Sequence, residues 1–190
     1  MKQTLPALDI SEPIAREVSM EIPTLTTERL VLRPFRAGDL DAHAAMNADP
    51  SVMQYIGEVQ DRATAFRGMC AYMGHWYFFG FGPWAVEERA SGAFVGRAGL
   101  TRFEPWTDVE VAYALVRSAW GKGYASELAA RSLRYAHEVV GARGVASHIL
   151  LGNVAAVRVA ERLGAKYAYD ADVQVKNTPV RVYVYPDPRV

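Results

Sequence analysis

A single cysteine, Cys70, occurs in the 190-residue chain. No internal disulfide can form, and nothing in the sequence resembles a Cys/His metal framework. Surplus charge is also missing, since 21 Lys and Arg balance 21 Asp and Glu. A protein that lives on nucleic-acid phosphates normally needs a basic excess, so nucleic acid is not an expected partner. A local basic pocket for a small anion stays open. Long apolar runs are absent too. The most apolar stretch, 69–86, is interrupted by Gly74, His75, Gly80, Gly82 and Pro83, unlike the roughly 20 unbroken residues of a membrane helix. Pro6, Asp9, Glu12 and Pro13 follow Met1-Lys2 and leave no apolar core for a signal peptide. The expectation is a cytoplasmic protein in a reducing compartment, without a membrane or a metal.

What is present is an ordinary globular mixture, 51% hydrophobic and 22% charged in 21.0 kDa, enough for one domain. Residues 1–22, with Pro6 and Pro13 and no sustained period, read as an N-terminal arm, and 23–190 as a single domain. Leu30 and Leu32 alternate with Val31 and Arg33 as a first strand, closed by Pro34 and Gly38. Asp39 is expected to cap a helix that ends at Asp49-Pro50. A second helix is expected from 63 to 76, stopped by Gly80 and Gly82. Three strands follow, near 84–88, 93–103 and 109–116. Next come a helix over 122–139, a strand over 145–151, a helix over 153–163 ended by Gly164, and strands near 165–175 and 180–185. The order is β-α-α-β-β-β-α-β-α-β-β, an α/β (α+β) arrangement with seven strands.

The most informative segment runs from Val109 to Glu127. Its strand enters a turn holding Gly121 and Gly123, and the turn opens a helix. Helix starts leave backbone N–H groups without internal partners, and glycines let an anion approach the backbone closely. The turn is therefore a candidate pyrophosphate cradle aided by the helix dipole. Lys122 either adds charge at the rim or is solvated. Spacing alone does not decide between a cradle and a plain turn. The segment is neither a dinucleotide fingerprint nor a P-loop.

Three stretches carry a family resemblance: Thr27-Glu28-Arg29-Leu30-Val31-Leu32-Arg33-Pro34, the run from Glu110 to Glu127, and the run from Gly152 to Gly164. Together they resemble the GNAT superfamily of N-acetyltransferases, and within it the ribosomal-protein-alanine acetyltransferase branch. The resemblance covers about residues 23–186. It implies a mixed, strongly twisted seven-stranded sheet flanked by helices, whose fourth and fifth strands splay apart. It also implies acetyl-CoA in that opening, with its pyrophosphate on the backbone of Gly121, Lys122, Gly123, Tyr124, Ala125 and Ser126. The pantetheine arm would run beside Leu115, Val116 and Arg117 as an added strand. Asn153 reads as a helix N-cap that in the family also reaches the cofactor. Arg158, on the same helix, is either a contact to a CoA phosphate or an exposed ion pair.

Amide formation from a thioester needs a neutral amine and an exit for its proton. Alternation puts Glu110 on one strand face with Ala112 and Ala114, and the resembling branch often assigns a glutamate here as base. His148, on the next strand, is the second candidate. The acid side departs from the family, because Ala156 and Ala160 stand where it commonly offers a Ser or Tyr hydroxyl. The aromatic run of Trp76, Tyr77, Phe78 and Phe79, with Phe81 and Trp84, reads as core or as an acceptor-pocket wall. His75 and Cys70 read as structural. The function implied is acetyl transfer from acetyl-CoA to an amine-bearing small molecule or a protein N-terminus, by direct attack in a ternary complex. The alternatives are a catalytically idle acyl-CoA-binding module and an acyltransferase using another acyl-CoA. Exposed strand ends and the arm are compatible with a homodimer.

Overall fold

The computed structural model describes residues 21–104 and 108–189. The expected arm lies outside them except for Glu21 and Ile22, and Ile22 is buried in the core. Strand β1 (Leu25–Thr26) pairs with β2 (Leu30–Arg33). Leu30 and Leu32 of β2 are fully buried, as their alternation requires. A 3-10 turn (Ala37–Asp39) leads into α1 (Leu40–Ala48), α2 (Pro50–Met53) and α3 (Arg62–Phe79). Then come β3 (Pro83–Glu88), β4 (Phe94–Thr101) and β5 (Val109–Leu115), then α4 (Tyr124–Tyr135), β6 (Val145–Leu150) and α5 (Val154–Arg162). Strands β7 (Lys166–Val175) and β8 (Thr178–Val184) close the fold.

The sheet order is β1-β2-β3-β4-β5-β6-β8-β7. All seven expected strands are present, and the two-residue β1 adds an eighth. Every pairing is antiparallel except β5 with β6. Helix α4 covers β4 and β5 on one face of the sheet, while α1 and α3 pack against the other side. The main core includes Leu30, Trp84, Leu100, Leu128 and Val145.

Two boundaries shift for local reasons. Helix α3 is capped by Asp61, whose carboxylate accepts from Thr64 N–H at 2.7 Å, and it runs three residues beyond the expected end. Helix α4 starts at Tyr124 rather than Lys122, because Gly123 sits at the N-cap in the left-handed region. Asp39 does not cap α1 through its side chain. Its carboxylate instead accepts from Arg36 N–H at 2.7 Å and takes both ends of the Arg33 guanidinium at 2.8 Å. Burial pushes the Asp39 carboxyl up, but Arg33 and the Arg36 N–H outweigh it and hold the group below its ordinary range. Arg33 also reaches Glu87 at 2.7 Å, which ties β2 to β3.

Candidate active site

Strands β5 and β6 pair at only two positions, Val109 with Val145 and Glu110 with Ala146. Beyond these the strands part, and a cavity of about 790 Å³ fills the opening. Val116 N–H donates to Val95 O on β4 at 3.0 Å. Alternation along β5 then turns the main-chain groups of Val111, Tyr113 and Leu115 toward the opening. Ser147 Oγ donates to Val111 O at 2.9 Å and lies 3.0 Å from Tyr185 Oη. With the serine proton committed to Val111, the Tyr185 phenol is the donor in the second bond. These two bonds seal the narrow end.

The glycine turn forms one end of the cavity. Gly121 and Gly123 have φ of 74° and 81°, values that favour glycine. The bond from Glu127 N–H to Gly123 O (3.2 Å) spans the helix start, so the N–H groups ahead of it are the orphan donors of α4. A Cβ added at Gly121 would meet nothing within 4 Å, so that side of the turn is open. Arg29 braces the turn from behind. Its side chain donates to Glu127 Oε2 and to Lys122 O at 2.8 Å each, and its N–H donates to Glu127 Oε1 at 2.8 Å. Lys122 Nζ points away from the cradle, 3.7 Å from Glu88 Oε1. The charge beside the cradle comes from Arg162, whose Nη1 donates to Ser126 Oγ at 2.8 Å. Arg162 lines the cavity, whereas Arg158, one helical turn earlier, is exposed and outside its lining.

The other end is made of side chains. Glu110 Oε2 accepts from Thr101 Oγ1 at 3.0 Å, and Oε1 accepts from His148 N–H at 3.3 Å. The His148 ring Nδ1 stands 3.6 Å from the same Oε1, with its side chain 5% exposed against 18% for Glu110. Thr101 is the cross-strand neighbour of Glu110, so the register itself supplies one bond. Phe103, two residues beyond Thr101, lines the cavity too, and further along it stand Tyr72, against Arg97, and Tyr55, beside Gly152. Tyr113 lines the cavity as well, and burial pushes its phenol well above the ordinary value of 10.0.

Glu110, His148, Leu115, Gly121, Gly123, Tyr124, Ala125, Ser126 and Asn153 thus share one cavity wall, while Val116, Arg117 and Lys122 lie outside it. Val116 has committed its N–H to β4, and Arg117 begins a 3-10 turn (Arg117–Ala119) with its side chain exposed. Asn153 Oδ1 accepts from Ala156 N–H at 3.2 Å as an N-cap. Of the aromatic run, Trp76, Phe81 and Trp84 are buried in the core, and Tyr77, Phe78 and Phe79 are exposed. None of the six lines the cavity. His75 is buried between Phe81 O (2.6 Å) and Arg102 N–H (2.9 Å), a structural role for a neutral ring, whereas Cys70 is exposed. Sequence reading missed Tyr55, Tyr72, Arg97, Phe103, Tyr113 and Arg162, since each reaches the cavity by tertiary packing.

Among the described residues, no group of three or more His, Cys, Asp or Glu side chains is placed to hold a metal ion. No helix among them is long and apolar enough to cross a membrane. The acetyltransferase (GNAT) domain family matches residues 29–166. An uncharacterized Bacillus subtilis (strain 168) protein, YkkB, is 30% identical over 162 residues, which are 84% of this chain and 93% of that protein. The crystal structure of an acetyltransferase from Agrobacterium tumefaciens str. C58 has a TM-score of 0.78 at 28% identity, covering 87% of this chain and 95% of that one. Spermidine N-acetyltransferase from Vibrio cholerae, solved in complex with CoA and spermine, shares the fold with a TM-score of 0.70 at 19% identity. That match covers 85% of this chain and 97% of the other.

Proposed function

The chain belongs to the acetyltransferase (GNAT) domain family, and from that membership we propose that residues 23–190 transfer an acetyl group from acetyl-CoA to a primary amine. The acceptor is a small molecule or a protein N-terminus, attacking directly in a ternary complex in the cytoplasm. One observation carries the reading: a single cavity has the orphan N–H groups of α4 at one end and the Glu110–His148 pair at the other. The turn at Gly121 and Gly123 suits a pyrophosphate, because its donors are peptide groups at a helix start. A neutral protein can therefore hold an acidic cosubstrate there. The open edge of β5 offers the main chain of Tyr113 and Leu115 to the pantetheine arm, and the Leu115 carbonyl already accepts from Trp120 Nε1 at 2.9 Å.

Glu110 takes the amine proton, directly or through one water, and its bonds to Thr101 and His148 N–H fix the carboxylate's orientation for that transfer. Ala156 lines the cavity without a hydroxyl, and Ala160 is buried. The Tyr113 phenol stays protonated at neutral pH and is the hydroxyl of β5 available to the departing sulfur.

The test is release of free CoA thiol across a panel of primary amines, run on a Cys70→Ser background because Cys70 is exposed. Amine-dependent release from acetyl-CoA supports the reading. Tight acetyl-CoA binding without turnover would favour an idle binding module, and faster turnover of a longer or acidic acyl-CoA would favour the other acyltransferase.

A further inference from the structure

Arg97 stands on β4 opposite Ala114 of β5 and lines the cavity. Between β3 and β4 the register shifts by one residue, with Val95 as the extra one. A bulge of this kind resets alternation, so Phe94 and Arg97 share the face turned toward α1 and α3. Phe94 packs against Phe35 and His43 there, and the Arg97 guanidinium lies over the Tyr72 ring at 5.4 Å. That ring contact is its partner. Among the described residues Arg97 forms no ion pair or hydrogen bond, and its Nε is buried without an acceptor. A buried N–H without an acceptor is destabilising, and a native structure that keeps one calls for a reason.

The carboxylate in the cavity lining, Glu110, does not answer it. Glu110 pairs with Thr101, four residues further along β4, so the two backbones are ~13 Å apart at the rise of a strand. Between them the same face carries Gly99 on β4 and Ala112 on β5, with Ala114 opposite Arg97, and these small residues leave room along the two strands. We infer that Arg97 is the anion subsite of the acceptor pocket, and that the acceptor is an amine which also carries a carboxylate. Arg97 grips the carboxylate in the fork that guanidinium offers, and the amine lies toward Glu110. Tyr55, Tyr72 and Phe103 flank an apolar body between them. A polyamine fits this arrangement poorly, because its second cation would face Arg97. The inference rests on the transferase reading and names its substrate class.

Matched pairs differing only in the carboxylate test it: 6-aminohexanoate against pentylamine, and L-ornithine, whose δ-amine stands apart from its carboxylate, against putrescine. Calorimetric titration of the CoA-bound protein should show the acid of each pair binding about ten- to a hundredfold tighter, the range of a hydrogen bond to a charged group. Arg97→Met should erase that preference and leave acetyl-CoA affinity within about twofold, while Arg97→Lys should keep part of it. Thermal melts of both variants report whether each is folded. Equal binding within pairs, no binding of either member, or a loss of acetyl-CoA affinity in a folded Arg97 variant would overturn the inference. Thiol release judges the transferase reading separately. Turnover without carboxylate preference removes only the subsite, and carboxylate preference without turnover keeps the subsite on an idle relative.

Discussion

The two ends of the cavity are built from different materials. At Gly121 and over 123–126 the wall is a short local stretch of chain, braced by Arg29 on Glu127 and Lys122 O and by Arg162 on Ser126 Oγ. The rest of the wall, where the acceptor is proposed to sit, is side chain. Tyr55, Tyr72, Arg97, Phe103 and Glu110 come from the loop after α2, from α3, β4, the loop beyond it, and β5. A wall of peptide groups needs only a backbone path, so it tolerates most side chains and leaves a short local signature. A wall of side chains carries specificity, and its members need no fixed spacing. On the proposed function, the difference separates the part that would hold the cosubstrate from the part that would select the amine.

That separation can be broken by mutants whose defects cross from one end to the other. The largest effect is expected at Glu110, at the end away from the glycine turn. Glu110→Gln keeps the shape and removes the base, so kcat should fall about 10²–10⁴-fold with acetyl-CoA affinity unchanged. Steady-state kinetics with a direct acetyl-CoA titration measures both. A rate unaltered across pH would pass the role to His148 or to solvent.

Gly123→Val comes next. The glycine sits at φ 81°, and an added Cβ would come 3.4 Å from Arg29 Nη2. The substitution therefore strains the turn and presses on its brace. Strain of this kind costs about 1–3 kcal/mol, so acetyl-CoA should bind roughly ten- to a hundredfold more weakly, with the KM for amine unmoved. Circular dichroism checks the fold. Wild-type affinity in a folded Gly123→Val protein would mean the cradle lies elsewhere.

The pattern of what the sequence discloses follows the same line. The Thr27–Pro34 motif has a physical job at each marked residue. Thr27 Oγ1 and Leu30 exchange bonds that turn the chain into β2, Arg29 braces the glycine turn, and Arg33 ties β2 to Asp39 and Glu87. The alternation of β5 also placed Glu110 on the face away from Val111 and Tyr113. Three details escaped because tertiary contacts decide them. Lys122 is drawn off by Glu88, Asp39 is taken by Arg33 and Arg36 rather than by α1, and β1 is two residues paired only to β2. Of the proposed acceptor wall only Glu110 and His148 were legible, and the aromatic run pointed elsewhere. Half of that run is core and half is surface, while isolated aromatics at 55, 72 and 103 line the cavity.

The acceptor end should also be the acid-sensitive one. His43 packs beneath it, fully buried, against Phe94 and Tyr72. Burial first, and then the charge of Arg97, push it down to about 4 from the ordinary 6.5. The unfolded chain takes up that proton near pH 6.5 and the folded chain only near 4. Stability should therefore fall as pH drops through this window, by at most ~1.4 kcal/mol per unit, and should not depend on His43 above it. His75, also pushed down by burial, adds in the same direction. Urea midpoints between pH 7.5 and 4.5 should show a shallower fall in His43→Gln than in the parent. Identical slopes would mean that this end does not set the acid limit.

The smallest effect is expected at Ala156, on the cavity wall beside the Asn153 cap. If the cosubstrate end only holds and positions, giving it a hydroxyl should do little. A thiol with an ordinary pKa near 8.5 leaves tolerably as thiolate, so the barrier is set more by bringing a neutral amine onto the thioester. Ala156→Ser also gives up some helix propensity, roughly half a kcal/mol, and so carries no stability gain to mask the kinetics. Turnover should change by less than about tenfold, well below the usual contribution of a positioned acid. Ala160→Tyr is the poorer probe, because Ala160 is 1% exposed and the added ring would overpack the core. A large rise in kcat for Ala156→Ser, with acetyl-CoA affinity unchanged, would show that protonating the sulfur limits the reaction. Tyr113 would then be no adequate donor, and Tyr113→Phe should leave that raised rate intact. A small effect at Ala156 with a clear loss in Tyr113→Phe would instead put the proton donor on β5.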